Sequence, residues 1–518
     1  MLGYLVAAGA ALPAGFAGAL ALSWRHLRWT WSLPLAALGL LALAAGGGPW
    51  AVWLTLASML AGRWAFRRHR AALERGGDAA RAEDSAIGPW DLLRQHTNGA
   101  AHNGSQAQDS FCLGHDDRGH PVWVRLGLAA ARHFVILGAT GSGKTTAMVN
   151  VLCAHIRAGL AVIVIDGKGS RPLRDRLAAQ AATLGREFIC WTPDGGARWN
   201  PLAGVSARDV ADLMLATQRF SEPHYEALYR RYLHAVTRCL AETCAGAPTL
   251  RDVIALLEPD ALVRAARDVV DAGKRAELLA YAEGLTPSQR RDLRGLADRF
   301  AVVLEAGPGE WLLPGGDGDA TPEIDLDHVT STGAVVYVGL DGLRFPDFAR
   351  VLGTLMAGAL QAYCGQVQAG RIARRPFMIA IDEFSLVSAE IVANLYELTR
   401  EAAAGSMVLA TQEMANLRKV AAGFMERILA NYQCLIALRQ NNPDSADFLA
   451  RSAGTEDARN GRGREFLQGP DDFLRLANGH AVLIDKDPIR SVRLAVVDAG
   501  PAAEASPVQG AVTRSAPL

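Results

Sequence analysis

The chain has no excess of charge of either sign: Lys+Arg and Asp+Glu each total 53 in 518 residues, for a formal net charge of zero. The global positive field of a free-standing polyanion binder is therefore absent, and a polyanion has to be gripped by a local patch or by a surface formed on assembly. Lysine is scarce, occurring only at Lys144, Lys168, Lys274, Lys419 and Lys486, so almost all the positive charge is arginine. The seven cysteines (Cys112, Cys153, Cys190, Cys239, Cys244, Cys364, Cys434) are scattered without a C-x-x-C pair. That spacing argues against a disulfide framework or a zinc site and suits a reducing compartment.

Charge is missing altogether from residues 1–22, MLGYLVAAGAALPAGFAGALAL, a stretch about as long as a bilayer core requires. The connector SWRHLRWTW separates it from a second apolar run, about 32–60, interrupted by Gly46, Gly47, Gly48 and Pro49. Trp24, Trp29, Trp31, Trp50, Trp53 and Trp64 fall where headgroup-level rings belong, and Arg63, Arg67, Arg68, Arg70 and Arg75 form a basic cluster expected on the cytoplasmic side. A cleaved signal peptide is the alternative, but the positive n-region is lacking. We therefore expect a transmembrane hairpin over 1–66, then a polar linker over 67–110.

Downstream, FCLGHDDRGHPVWVRLG reads as a hairpin about an Asp-Asp-Arg-Gly turn. HFVILG and AVIVIDGKG read as buried strands with a helix, AMVNVLCAHIRAG, between them that stops near Gly159. From about Ser206 to Ala306 the pattern is helical. Its last helix starts at Thr286 as N-cap, with Pro287 first and Gln289 three residues after the cap, and repeats Leu293, Leu296, Phe300 and Val303 on one face. Strand signals return in GAVVYVGL, FMIAIDEF, SMVLATQ and QCLIALRQ. The expected fold class is α/β: a RecA-like P-loop ATPase domain in two parts, 111–205 and 325–498, interrupted by an all-α insertion over 206–324. The N-terminal transmembrane helical hairpin precedes it, and a disordered tail over 499–518 follows.

GATGSGKT fits G-x-x-x-x-G-K-[ST] between a strand and a helix. Gly138, Ala139, Thr140, Gly141, Ser142, Gly143, Lys144, Thr145 and Thr146 are expected to bind the nucleotide, because backbone N–H groups and a helix start can surround phosphate oxygens. Lys144 reaches the β/γ-phosphates, and the Thr145 hydroxyl binds magnesium. MIAIDEF delivers Asp382 as the second metal ligand and Glu383 to orient and deprotonate the attacking water; adjacent carboxylates at a strand tip are costly unless a cation and a water use them. Gln412, after the next strand, is placed to sense the γ-phosphate. Arg400, near the end of the intervening helix, is read either as a charge complementing the helix dipole or as an arginine finger for a neighbouring subunit; Arg439 is its rival. The expected cofactors are ATP and Mg2+.

An L-S-G-G-Q helix of the ABC transporters is not found before the D-E strand, nor an N-K-x-D base-reading motif of GTPases. What remains is the layout of ring-forming RecA-like motors. On HFVILGATGSGKTT, VIDGKGS (Asp166, Lys168), WNPL (199–202), IAIDEFS and LATQ, in this order after a membrane hairpin, the chain resembles the type IV secretion coupling proteins, the TraG/TraD-type conjugative DNA-transfer ATPases. The resemblance implies a homo-hexameric ring in the bacterial inner membrane, multi-pass, with its ATPase domain in the cytoplasm. It implies that this ring passes relaxase-bound, single-stranded DNA, or a protein substrate, to type IV secretion channel components during conjugation. Arg400 falls close to the family's finger in spacing. A local ion pair for Asp166 and Lys168 and a simple turn at Asn200–Pro201 are the plainer readings. Two other functions fit less of the sequence: an FtsK/HerA-like DNA pump, and a membrane receptor that uses ATP as an assembly switch while recruiting protein cargo.

Overall fold

Runs of five to seven apolar residues, too short for helices and buried on both faces, become the parallel centre of one large sheet. The computed structural model describes residues 109–498, apart from 129–130, 219–221, 306, 316–319, 384–386, 388, 404, 421–422 and 458–463. The expected hairpin over 1–66, nearly all of the linker and the tail lie outside the described residues.

The strands are β1 (Ser110–Asp116), β2 (Pro121–Arg125), β3 (His133–Leu137), β4 (Ala161–Asp166), β5 (Phe188–Trp191), β6 (Val335–Gly339), β7 (Phe377–Asp382), β8 (Gly405–Thr411), β9 (Cys434–Leu438), β10 (Thr455–Asp457), β11 (Arg464–Phe466), β12 (His480–Lys486) and β13 (Ile489–Val496). Eleven of them form a sheet in the order β2-β1-β13-β12-β9-β3-β8-β7-β4-β6-β5. The stretch from β9 to β5 is parallel. The stretch from β2 to β12 is antiparallel and joins β9 edge to edge. The expected β1–β2 hairpin forms, with the Asp116 carboxylate accepting the N–H groups of Arg118 and His120 at 2.9 and 2.8 Å.

Fifteen α-helices are described, with one 3-10 helix at Gly307–Leu312. They begin with α1 (Lys144–Arg157) and α2 (Arg171–Thr183), then α3 (Ala207–Ala216), α4 (Pro223–Thr243), α5 (Leu250–Ala255), α6 (Pro259–Ala266), α7 (Ala272–Glu283) and α8 (Pro287–Glu305). The rest are α9 (Leu326–Thr332), α10 (Pro346–Gln368), α11 (Ala389–Ala403), α12 (Met414–Val420), α13 (Phe424–Asn431), α14 (Pro443–Ala453) and α15 (Pro470–Leu474). No helix among the described residues is long and apolar enough to cross a membrane.

Side chains alternate across the sheet, so each buried strand feeds two cores. Val135, Leu137, Ile163, Ile165, Ile379 and Ile381 point into a core shared with α10, α11 and helices α3–α8. Phe134, Ile136, Val162, Val164, Met378 and Ala380 point into a second core covered by α1 and α2. The start of α8 is as expected: Gln289 N–H donates to the Thr286 hydroxyl at 3.3 Å, and Thr286 N–H donates to Gln289 Oε1 at 3.0 Å. Leu293, Leu296, Phe300 and Val303 are its buried face, and each contributes about 1.5–3 kcal/mol by leaving water. Asn200 serves a turn, accepting Leu202 N–H at 3.1 Å and donating to the Pro248 carbonyl at 3.2 Å, which ties the loop after β5 to the connection between α4 and α5. Arg464–Phe466 pairs with β10 in a small exposed ribbon.

Candidate nucleotide site

Strand order builds the site. β8 lies between β3 and β7, so their carboxyl ends set the glycine loop, Gln412 and Asp382 side by side. This edge of a parallel sheet is where ligands bind in doubly wound folds, because strand-end loops and helix starts converge there.

Gly138 to Thr146 run from the tip of β3 into α1. The loop is tied down by Gly138 N–H to the Thr411 carbonyl (3.2 Å), Ala139 N–H to the Arg439 carbonyl (2.9 Å) and Gly479 N–H to the Ser142 carbonyl (2.9 Å). Gly143 opens the helix at φ 105, a left-handed conformation that glycine adopts without strain. The helix has no side-chain cap and no acid in its first turn, so its N-terminal donors and dipole are left to an anion. Ser142 Oγ is buried and without a partner among the described residues. Lys144 is 9% exposed. Burial pulls its ammonium below the ordinary value, with Lys168 adding to that and Asp382 and Glu383 opposing it. Each of these features suits a polyphosphate, which would satisfy the donors and balance the buried cation.

Asp382 is 6% exposed at the tip of β7. Burial raises its carboxyl above the usual range and the Asp166 carboxylate adds to the effect, while Lys168 and Lys144 pull it down. A divalent cation would relieve both unfavourable contributions. Magnesium takes only one or two protein ligands and keeps its waters; the exposed Thr145 hydroxyl and Asp382 are the pair that could hold it, as the sequence suggests.

Glu383 has φ 60, one of two non-glycine residues with positive φ among those described. A left-handed L-residue costs about 1–2 kcal/mol, and such strain persists where surrounding contacts over-determine the geometry, often at functional sites. Thr140 Oγ1 donates to Gln412 Oε1 at 3.4 Å, so the expected sensor touches the phosphate loop itself.

Arg400 is not part of this cluster. It lies late in α11, beside His133, whose ring it helps to keep uncharged. His133 begins β3 and the phosphate loop follows its other end, so Arg400 lies towards the end of the strand away from that loop. Arg439, at the tip of β9, is by contrast next to that loop.

Asp166 and Lys168 part company. The Asp166 carboxylate accepts the N–H groups of Lys168 (2.9 Å) and Ser170 (2.6 Å) and the Tyr337 hydroxyl (2.7 Å), so it shapes its own loop instead of pairing with its neighbour. The Lys168 ammonium reaches Glu383 Oε2 at 3.0 Å. Burial lowers the basicity of Lys168, but the Glu383 bond and the nearby carboxylates of Asp382 and Asp166 outweigh it and raise the net value. The sequence marks Lys168 only through the VIDGKGS stretch; its contact with Glu383 depends on the register of β4 on β7.

Residues 111–170, from β1 through the glycine loop to the turn after β4, match the family model described as "Helicase HerA, central domain". Among solved structures, the plasmid coupling protein TrwB with ADP and Mg2+ is similar over 77% of this chain and 94% of its own, at 15% identity and TM-score 0.53. TrwB with the non-hydrolysable ATP analogue ADPNP is similar over 71% and 86%, at 16% identity and TM-score 0.51. The fold is RecA-like P-loop ATPase. VirB4 of Thermoanaerobacter pseudethanolicus shares it over 75% of this chain and 96% of its own, at 16% identity and TM-score 0.52. No curated protein matches in sequence. Lys144, Asp382 and Gln412 stand at the carboxyl edge of the parallel sheet, while Arg400 sits towards the amino edge.

Proposed function

We propose that the chain is a magnesium-dependent ATPase that drives DNA, with or without a bound relaxase, through a membrane-anchored homo-hexameric ring into a type IV secretion channel. The observation that carries the reading is the pair of sheet edges. One edge holds an uncapped helix start beside the buried Lys144 and Asp382, and the other holds Arg400, beside His133 and away from its own copy's phosphate loop. Bound MgATP supplies the phosphoanhydride whose cleavage releases the energy. Lys144 and the α1 start hold the phosphates, Thr145 and Asp382 hold the metal, and Glu383 orients the water and takes its proton. Gln412, resting on Thr140, registers the terminal phosphate and passes its state to the loop. Arg400 of one copy completes the pocket of the next. The likeness to plasmid coupling proteins and the apolar N-terminal sequence support the anchored, conjugative setting in the inner membrane, with the described unit in the cytoplasm.

The match of 111–170 to a helicase HerA model favours a second reading, a pump for duplex DNA. Both are tested with the purified full-length chain by measuring ATP turnover with no DNA, single-stranded DNA and duplex. Stimulation by single strands supports the conjugative reading, and stimulation by duplex alone supports the pump. Turnover indifferent to both would remove DNA as the substrate.

A further inference from the structure

We infer that Lys168 is a positioning residue for Glu383: it fixes the direction in which that carboxylate points and does not itself bind phosphate. The inference rests on the ATPase reading above and names a part of the site that the glycine-loop and D-E motifs do not contain.

The register of two strands produces the contact. β4 and β7 are parallel with Asp166 opposite Asp382, so the residues just beyond each strand face one another. Gly167 N–H extends the ladder by donating to the Asp382 carbonyl at 3.1 Å. The loop that follows is held on three sides. Asp166 binds the Lys168 and Ser170 amides, Tyr337 anchors Asp166 from β6, and Gly342 N–H donates to the Gly167 carbonyl at 2.9 Å. Gly169, at φ 67, turns the chain where a Cβ would press on the Asp341 backbone at 3.3–3.4 Å. From this constrained backbone the Lys168 stem carries its ammonium to 3.0 Å from Glu383 Oε2.

Stability does not explain the pair. The Lys168 and Glu383 side chains are 46% and 21% exposed, and ion pairs open to water contribute little to folding. Glu383, however, is held in a left-handed backbone conformation that an L-residue abandons readily once its contacts are lost. A base must lie within hydrogen-bond reach of its water. The Lys168 tether therefore acts where aim matters most. Lys144, buried at the helix start, already supplies the phosphate-facing cation.

The test is made on the full-length chain with Lys168→Met and Lys168→Arg. kcat, KM for ATP and affinity for ADPNP are measured beside wild type and Lys144→Ala. Lys168→Met should lower kcat about 100-fold, the scale of a small misplacement at a reacting centre, with KM and ADPNP affinity within about 2-fold of wild type. Lys168→Arg, which can still bridge to a carboxylate, should recover most of the loss. An equal fall in ADPNP affinity would make Lys168 a phosphate ligand and overturn the inference. So would unchanged or raised kcat in Lys168→Met, or an arginine variant no better than methionine. A wild-type chain that binds ADPNP but hydrolyses no ATP overturns the ATPase reading, and the base that Lys168 is said to aim falls with it.

Discussion

The two edges of the parallel sheet bury charge in opposite ways. At the amino edge, Asp485 is completely buried and its oxygens are taken up by Arg132, by Arg490 and by the Asp487 amide at 3.1 Å. Nearby, Ser406 accepts Arg132 N–H at 3.0 Å and Gln433 accepts His133 N–H at 2.7 Å. The His133 ring lies 4.5 Å from that of Tyr396. At the carboxyl edge, Asp166, Asp382 and Glu383 crowd together against two lysines, one backbone is strained, and an uncapped helix points outward. At the amino edge a buried carboxylate meets its cations directly; at the carboxyl edge burial still raises Asp382 and lowers Lys144 despite the charges around them, which marks a site that a cation and an anion would relieve.

The largest effect should come from the residue that crosses this division. Arg400 stands at the amino edge, so Arg400→Ala should leave ADPNP affinity of the protein near wild type yet cut hydrolysis about 10³–10⁵-fold, as loss of an arginine finger does. A small change in turnover would return Arg400 to the amino edge as a merely structural charge. Next comes Glu383→Gln, expected to lower kcat about 10²–10⁴-fold while ADPNP still binds and the unfolding midpoint hardly moves. Asp485→Asn should do the reverse. Breaking a buried pair strands Arg132, costing about 3–5 kcal/mol in denaturant titrations, with ADPNP affinity retained in the protein that remains folded. If Asp485→Asn abolished binding while leaving stability intact, the contrast between the edges would collapse.

The last effect is a dependence on pH. Burial, then Arg400, takes His133 down to about 3, and burial takes His155 down to about 4, each from 6.5. Both are neutral in the folded chain and can charge in the unfolded one. Stability is therefore complete above pH 6.5 and declines as the pH falls from there toward 4, by at most about 1.4 kcal/mol per pH unit for each ring. Thermal melts between pH 7.5 and 4.5 should show the decline, and His133→Phe should flatten it. A steeper fall in that variant would count against a buried neutral ring.

Legibility in the sequence tracked locality. The glycine loop, the Asp382–Glu383 tip, Gln412 and the α8 capping box each lie within a few consecutive residues, and their chemistry follows from spacing alone. The parallel strands were legible for the same reason, since burial on both faces leaves an uninterrupted apolar run. β12 and β13, which carry the sheet across to the β1–β2 hairpin, left no comparable signal: their polar residues at 480, 485, 486, 490, 491 and 493 break the run. The Arg132–Asp485 pair was unreadable because its members meet only when β12 docks on β9, and β9 on β3.

What this amino-acid order determined by itself is the glycine loop between a strand and a helix, because a phosphate-loop motif is made of contiguous backbone N–H groups and one lysine, and needs no distant partner to be recognised. Which strand stands beside which was left to the tertiary structure, and everything that depends on adjacency went with it. The insertion of β8 between β3 and β7 set Gln412 against Thr140. The register of β4 on β7 brought Lys168 to Glu383, and the polarity of β3 sent Arg400 to the far edge. The physical reason is that hydrogen-bonded registry in a sheet is chosen by the whole apolar pattern at once, so a contact between strand tips exists only after all the strands have been sorted.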